Sequence, residues 1–321
     1  MNSKAPDNQP TTSKSDDCLS VINDRVVALK KLQYERYQLD GRLAKEMFTI
    51  TSHYSTSYEK IDKKIYDIIS GQTDPNTTVT DNKRLNFITN SADSLKKMFE
   101  DQQLLTTSSA TTTTSPVKGI PGFWIKAMKT VDHIHQWIEP RDEPVLQHLT
   151  DISIRFVDKL FKIDIIFKFE DNEYFGNQEL TKTYFVSFEP NEDNPWQQHD
   201  GYYPIARHGC RIDWKTGRNI TERQMKVKGV KNETSSVGNK SHMKLMSFFD
   251  IFDNELLQRS PNDDIDVEEF LEDDWSLSRV LIKHFVPNAV LYLTGELHLD
   301  DKQLAKDMDA IDEMMANYDD D

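Results

Sequence analysis

Between Val26 and Ser70 the chain repeats one pattern. Apolar side chains recur every three or four residues at Leu29, Leu32, Leu39, Leu43, Met47, Ile50, Tyr54, Tyr58, Ile61, Ile65 and Ile68, with Arg36 the one polar residue on the same stripe. This is the period of one helix face. No Pro falls between Lys14 and Thr73, and Gly41 is the only Gly before Gly71. Forty-five residues make a helix of about 68 Å, whereas a compact ball of 321 residues spans roughly 50 Å. The stripe therefore outruns any core this chain could fold around it. Large apolar side chains left in water forgo roughly 1.5 to 3 kcal/mol each, and a second copy of the helix is the simplest cover. The spacing starts as a strict heptad and drifts toward 3.6, which argues against a long, regular supercoil. The expectation is a long helix pairing in a homodimer; the alternative is an amphipathic helix lying on its own domain.

Beyond the helix the pattern changes twice. Residues 72–81 are rich in Pro, Asn and Thr, a second helical pattern runs through Leu85, Ile88, Ala92, Leu95 and Phe99, and Thr106–Ser115 is a Thr/Ser tract. Such a tract is too polar to pack, so a domain boundary falls there. From Gly119, Ile120-Pro-Gly-Phe-Trp124 opens a helix through Ala127, Met128, Val131, Ile134, Trp137 and Ile138, with Pro121 suited to its start. A short segment, Glu143–Leu149, precedes three runs of period two: Ile152, Ile154, Phe156; Phe161 to Phe169; and Leu180, Lys182, Tyr184, Val186, Phe188. These predict an antiparallel meander with one buried face. Cys210, Ile212 and Trp214 predict a fourth strand, closed by a turn at Lys215–Arg218. Residues 218–244 form a basic hairpin or loop, Ser247–Phe252 returns to the core, and helices follow at Leu277–Phe285 and Pro287–Leu293.

The predicted fold class is α+β: a long dimerisation helix plus an antiparallel sheet with helices packed on one side. The expected divisions are a disordered N-terminal segment (1–18), the long helix with accessory helices (19–105), a Thr/Ser-rich linker (106–117), an α/β domain (118–299) and an acidic tail (300–321).

Charge sharpens this picture. Residues 255–321 hold 19 Asp and Glu against 5 Lys and Arg, so a net −14 of the chain's −15 lies there. Concentrated negative charge captures cationic partners and works against direct DNA binding, which needs a positive footprint. The polar N-terminus and two cysteines, Cys18 and Cys210, predict a soluble intracellular chain without a disulfide framework or membrane span. Chemistry finds little purchase. His133 and His135 point to different helix faces, and Cys210 alternates with apolar residues as a buried strand position. No phosphate-cradling loop, nucleophile elbow or zinc spacing is present in the sequence. The expectation is a protein that is not an enzyme and uses no cofactor or metal.

Several stretches together resemble the nucleosome assembly protein family, which includes the SET group. They are Lys118–Met128, Asp142–Leu146 with Leu149–Ile152, Asn172–Phe175, Leu180–Tyr184, Gly209–Lys215, Ser247–Phe249 and Pro287–Glu296. Leu180–Tyr184 and Thr294–Glu296 look like the nucleosome assembly protein branch. The resemblance implies an antiparallel homodimer on the long helix, with an α/β "earmuff" at each end forming an acidic concave underside. It implies a histone chaperone that shields core histones from non-specific DNA binding, promotes nucleosome assembly in chromatin and shuttles between nucleus and cytoplasm. The eleven apolar stripe residues become the dimerisation set. Histone-binding candidates are Asp142, Glu143, Asp151, Glu170 and Asp171, with Asp263, Asp264, Asp266, Glu268, Glu269, Glu272, Asp273 and Asp274 in the acidic run. Lys226, Lys228 and Lys231 are the candidate nuclear import signal, which would bring an import receptor as partner. The rival reading is a dimeric acidic adaptor or inhibitor that holds non-histone basic partners. One departure stands out: residues 300–321 carry nine acids interrupted by two Lys and a Met/Ala/Ile patch, where the family's tails are commonly continuous acidic runs.

Overall fold

The structure, a computed structural model, describes residues 14–74, 118–190, 201–221, 247–254 and 267–299. The second helical pattern, the Thr/Ser tract, most of the basic hairpin, Asp263–Asp266 and the tail lie outside the described residues.

The first helix, α1, runs without interruption over Lys14–Ile69, starting earlier than the stripe that predicts it. It stops where Gly71 takes a left-handed φ of 70° and the Thr73 N–H donates back to the Asp67 carbonyl at 3.0 Å, closing the last turn. Short helices follow: α2 (Phe123–Lys129), α3 (Asp132–His135) and α4 (Glu143–Leu146). The single helix predicted through Ile138 is therefore broken. Val131 is extended (φ −108°, ψ 106°), and the break keeps Val131, Ile134, Trp137 and Ile138 all buried.

Four strands, β1 (Leu149–Val157), β2 (Lys162–Phe169), β3 (Glu179–Ser187) and β4 (Tyr203–Gly209), stand in sheet order 1-2-3-4, with β1 and β3 antiparallel to β2. The meander is as expected, but its fourth strand precedes the predicted one. Cys210 adds one backbone bond to Thr181, whereas Trp214 leaves the sheet and bridges Phe175. The turn at Lys215–Arg218 is present, with Arg218 N–H donating to the Lys215 carbonyl at 2.9 Å. At the outer strand the Asn254 side chain pairs with Gly209 like a neighbouring backbone: its carbonyl accepts from the Gly209 N–H at 2.7 Å, and its amide donates to the Gly209 carbonyl at 2.6 Å.

After a 3₁₀ turn at Phe248–Phe252 come α5 (Val267–Val280), a π turn (Leu281–Phe285) and α6 (Val286–Thr294). The helical run thus begins within the acidic stretch and continues through Pro287. Pro287 has no N–H to close a regular turn, and the chain widens before it. Non-helical Asn288 then donates its side-chain amide to the His284 carbonyl at 2.8 Å.

The chain divides into two compact units. The first comprises α1 up to Ile50 with the described residues between Ser187 and Tyr203. There the Phe48 ring meets Phe188 and Tyr202 edge-on at 5.5 and 6.0 Å. A Cβ on Gly41 would lie 2.0 Å from the Phe188 carbonyl oxygen, so only glycine lets the segment lie so close.

The second unit holds the rest. Its core is aromatic. Phe167 packs edge-to-face with Phe248 and Phe252 at 5.7 and 5.5 Å, and Phe175 with Phe169 and Trp214 at 5.0 and 5.5 Å, geometries that such rings favour. From α2 the Trp124 indole donates to the Thr150 carbonyl at 2.9 Å. The sequence predicts one buried face, but on β2 both faces are covered, since it buries Asp164 and Ile166 as well as Ile163, Ile165 and Phe167. Cross-strand pairing puts Asp151 and Lys168 on that second face with Asp164 and Ile166. The C-terminal part of α1 runs along β1, where the Ser52 hydroxyl donates to the Phe156 carbonyl at 2.9 Å.

Candidate functional site

The first candidate surface is the stripe of α1. All eleven predicted dimerisation positions are exposed, Leu29 at 63% and Tyr54 at 59%, and even the least open, Ile65 and Ile68, at 38% and 39%. The helix points other side chains, Phe48 and Ile69, inward, so the stripe is a face that no other part of the described chain covers. Lone exposed apolar residues are ordinary, but a continuous row of this length marks an association surface.

The second candidate surface is acidic, and here the structure sorts the predicted carboxylates. Asp142 is fully buried. One oxygen accepts from the Ser247 hydroxyl at 2.7 Å, and the other from the N–H groups of Phe248 and Glu139 at 2.8 and 2.9 Å. Burial pushes its pKa up against the pull of these hydrogen bonds. It ties the 3₁₀ turn to the start of α4 and presents nothing to a partner. Asp274 is likewise fully buried. Its carboxylate lies 3.0 Å from the Lys182 ammonium and accepts from the Tyr184 hydroxyl at 2.9 Å, with the Arg207 guanidinium 4.0 Å away. Both residues are therefore withdrawn from the histone-contact set, because neither carboxylate reaches solvent.

Lys182 is the alternation's single polar position, and it faces the core. Its ammonium donates to the Ile251 carbonyl as well as pairing with Asp274. Burial lowers its pKa, and Asp274 opposes the shift. Burial, then Asp274, drives the Tyr184 hydroxyl well above its ordinary value. The network pins α5 to β3 and leaves the preceding residues, Glu272 and Asp273, exposed.

The other predicted acids vary. Asp171 is exposed, and Glu170 is exposed but bonded to His148 at 3.0 Å. Glu143 is half-exposed and paired with Lys129 at 2.9 Å. Asp151 is mostly buried and paired with Lys168 at 3.0 Å; burial foremost raises its pKa, with Glu179 adding to the rise. Glu268 and Glu269 fall in the first turn of α5, and Asp263, Asp264, Asp266, Lys226, Lys228 and Lys231 lie outside the described residues. Sequence reasoning missed one acid, Asp62 on α1. Burial, then Asp151, then Glu59 raise its pKa, so α1 and β1 bring their negative charges together on one side of the sheet. Helical spacing alone carries no sign of this, since Asp62 flanks the stripe and its neighbour Asp151 is remote in sequence.

His133 Nε2 lies 3.2 Å from the Ser276 hydroxyl. No group of three or more metal-capable side chains occurs among the described residues. No helix of these residues is long and apolar enough to cross a membrane.

The described residues thus carry an open apolar helix face and, on the α/β unit, carboxylates at the surface. The comparisons name the family. The nucleosome assembly protein model matches residues 24–296, and the chain belongs to that family, a family of histone chaperones. It is similar to human nucleosome assembly protein 1-like 1, at 35% identity over 290 residues, covering 88% of this chain and 71% of the relative. The Xenopus laevis protein 1-like 1-A is 33% identical over the same span, with the same coverage. A crystal structure of the nucleosome assembly protein of Plasmodium falciparum aligns at TM-score 0.45 and 19% identity, covering 87% of this chain and all of that one.

Proposed function

We propose that this chain acts as a dimeric histone chaperone whose acidic surface occupies the DNA-contacting face of core histones. Family membership across residues 24–296 carries the reading, and the net −14 over residues 255–321 supports it. Histones and DNA collapse together through non-specific charge attraction at low salt. A negative surface competes for the same lysines and arginines, removes that trap and leaves the ordered nucleosome as the favoured product. The contacts proposed are Glu268, Glu269, Glu272 and Asp273 on α5, Asp263, Asp264 and Asp266 before it, and Glu143, Asp151, Glu170 and Asp171 around the domain. Pairing of two copies through the α1 stripe sets two such surfaces in one particle. The excess of negative charge works against direct DNA binding, and Lys226, Lys228 and Lys231 are the proposed import signal of a protein that moves between cytoplasm and nucleus.

The test is a titration with core histones across a salt series centred near 0.15 M. Reversing Glu268, Glu269, Glu272 and Asp273 to Lys weakens binding and flattens its salt dependence. Unchanged affinity would move the histone site off α5. Failure of the unmodified protein to dissolve histone–DNA aggregates would reject the chaperone mechanism for this chain.

A further inference from the structure

The Met/Ala/Ile patch that interrupts the acidic tail has a period. Leu304, Met308, Ile311 and Met315 are separated by steps of 4, 3 and 4 residues, which on a helix puts them within an arc of about 60°. Asp300 followed by Gln303 is a helix-start signal ahead of them, and no Gly or Pro falls between Glu296 and Asp321. Asp309 and Glu313 fall on the side opposite the stripe. A sequence of this kind folds as a helix only when something covers its narrow apolar face.

The last described helix, α6, has such a cover to offer. Val290 and Leu291 are 46% and 38% exposed, and Pro287, one turn earlier, is exposed as well, whereas Ala289, Tyr292 and Leu293 point into the core. At Gly295, with φ 72°, the helix stops. The N–H groups of Glu296 and Leu297 then donate to the Leu291 carbonyl at 3.0 and 3.2 Å, which turns the chain over the end of α6. Three side chains fall far short of the roughly 1,200 Å² over which separate molecules hold one another, so this patch alone retains neither a second copy nor a free protein. A segment of the same chain needs no such area, because its tether gives it an effective concentration near the millimolar range. A helix starting after Asp300 leaves Gly295–Asp300 as the connection, a length within the about two to eight residues that join packed helices. Laid antiparallel on α6, turn for turn, it sets Leu304 beside Leu291, Met308 beside Pro287 and Asp312 beside Lys283, which is exposed one turn before Pro287.

We propose that residues 301–316 fold back as a helix on α6 of the same chain, with Leu304, Met308, Ile311 and Met315 against Pro287, Val290 and Leu291 and the acids turned to water. The tail then acts as charge fixed to the α/β unit and not as a free acidic streamer. This stands apart from the histone reading and survives its failure.

The experiment follows amide hydrogen exchange by mass spectrometry in the full chain, with a synthetic peptide of residues 300–321 as the unprotected reference. Amides of residues 304–315 exchange at least about tenfold more slowly in the chain than in the peptide. Leu291→Asp, at a side chain already open to water, returns them to the rate of the peptide while the strands of the sheet stay protected. Met308→Asp with Ile311→Asp, which changes only the tail, does the same. A tail that exchanges like the peptide in the unmodified chain, or one that stays protected in either variant, would overturn the docking. Protection that fades on dilution would place the tail on a second copy and overturn it as well.

Discussion

The two regions of this molecule break the usual rule of folding in opposite senses. The long helix leaves large apolar side chains in water, Leu29 and Leu32 at 63% and 61% exposed. The α/β unit takes charged ones into its core, with Asp142 and Asp274 fully enclosed and Lys182 nearly so. On the reading proposed above each departure is resolved by a partner, and the location of the partner is the difference. The charges of the α/β unit find theirs inside the chain: Lys182 for Asp274, and Ser247 with two backbone N–H groups for Asp142. The apolar stripe finds none within the described chain. Internal pairing makes a fixed shape, and a missing internal partner makes an interface.

The comparison breaks most sharply at the buried pair. Asp274→Ala strands the Lys182 ammonium in an apolar setting and should cost about 3 to 5 kcal/mol in urea unfolding. The double variant Lys182→Met with Asp274→Leu should cost far less than the two single changes together. A loss under about 1 kcal/mol for Asp274→Ala would mean that this carboxylate is solvated after all, and that the contrast between the regions is false.

A substitution on the stripe should behave in the reverse way. Leu43 is 58% exposed, so Leu43→Asp leaves the fold of the single chain intact by circular dichroism. Two copies of the change, each forfeiting about 1.5 to 3 kcal/mol of burial, should weaken dimerisation by roughly a hundredfold or more, read by light scattering over a dilution series. Dimerisation indifferent to Leu43 would leave the stripe without a role.

The smallest effect concerns Asp151, which lies between the two extremes. Its folded-state pKa is above the ordinary 3.8, so the fold favours the neutral carboxyl. That contribution is complete below the unfolded value and is lost as pH rises through the folded one. Asp151→Asn does not titrate, so its stability relative to the parent should rise as pH climbs from 3.8 through the folded value. Urea unfolding at several pH values reads the trend; a difference that falls over that range would reverse the assignment.

The stripe, the order of the first three strands, the buried alternation of β3 and the acidic C-terminal fifth are all legible from sequence, because each rests on local periodicity or composition. What escaped depends on distant partners. Asp142 and Asp274 look like any surface acid until Ser247 and Lys182 are brought against them from far along the chain. Lys182 was visible as an oddity in an apolar strand, but its partner was not. The fourth strand was misplaced because Ile212 and Trp214 keep the period of a strand while Trp214 pairs with Phe175 outside the sheet. Pro287 marked a helix boundary by the usual signal, yet the π turn carried the helix through it.

The side chain of Asn254 has a consequence for handling the protein. By filling both backbone groups of Gly209, it blunts the end of β4, the outermost strand of the described sheet, against pairing with strands of other molecules. Under the function proposed above, the protein would draw oppositely charged chains to high local density and be exposed to precipitation at every open ladder it carries. Here one asparagine amide closes the end of such a ladder, and colloidal stability is served at that point by a single side chain.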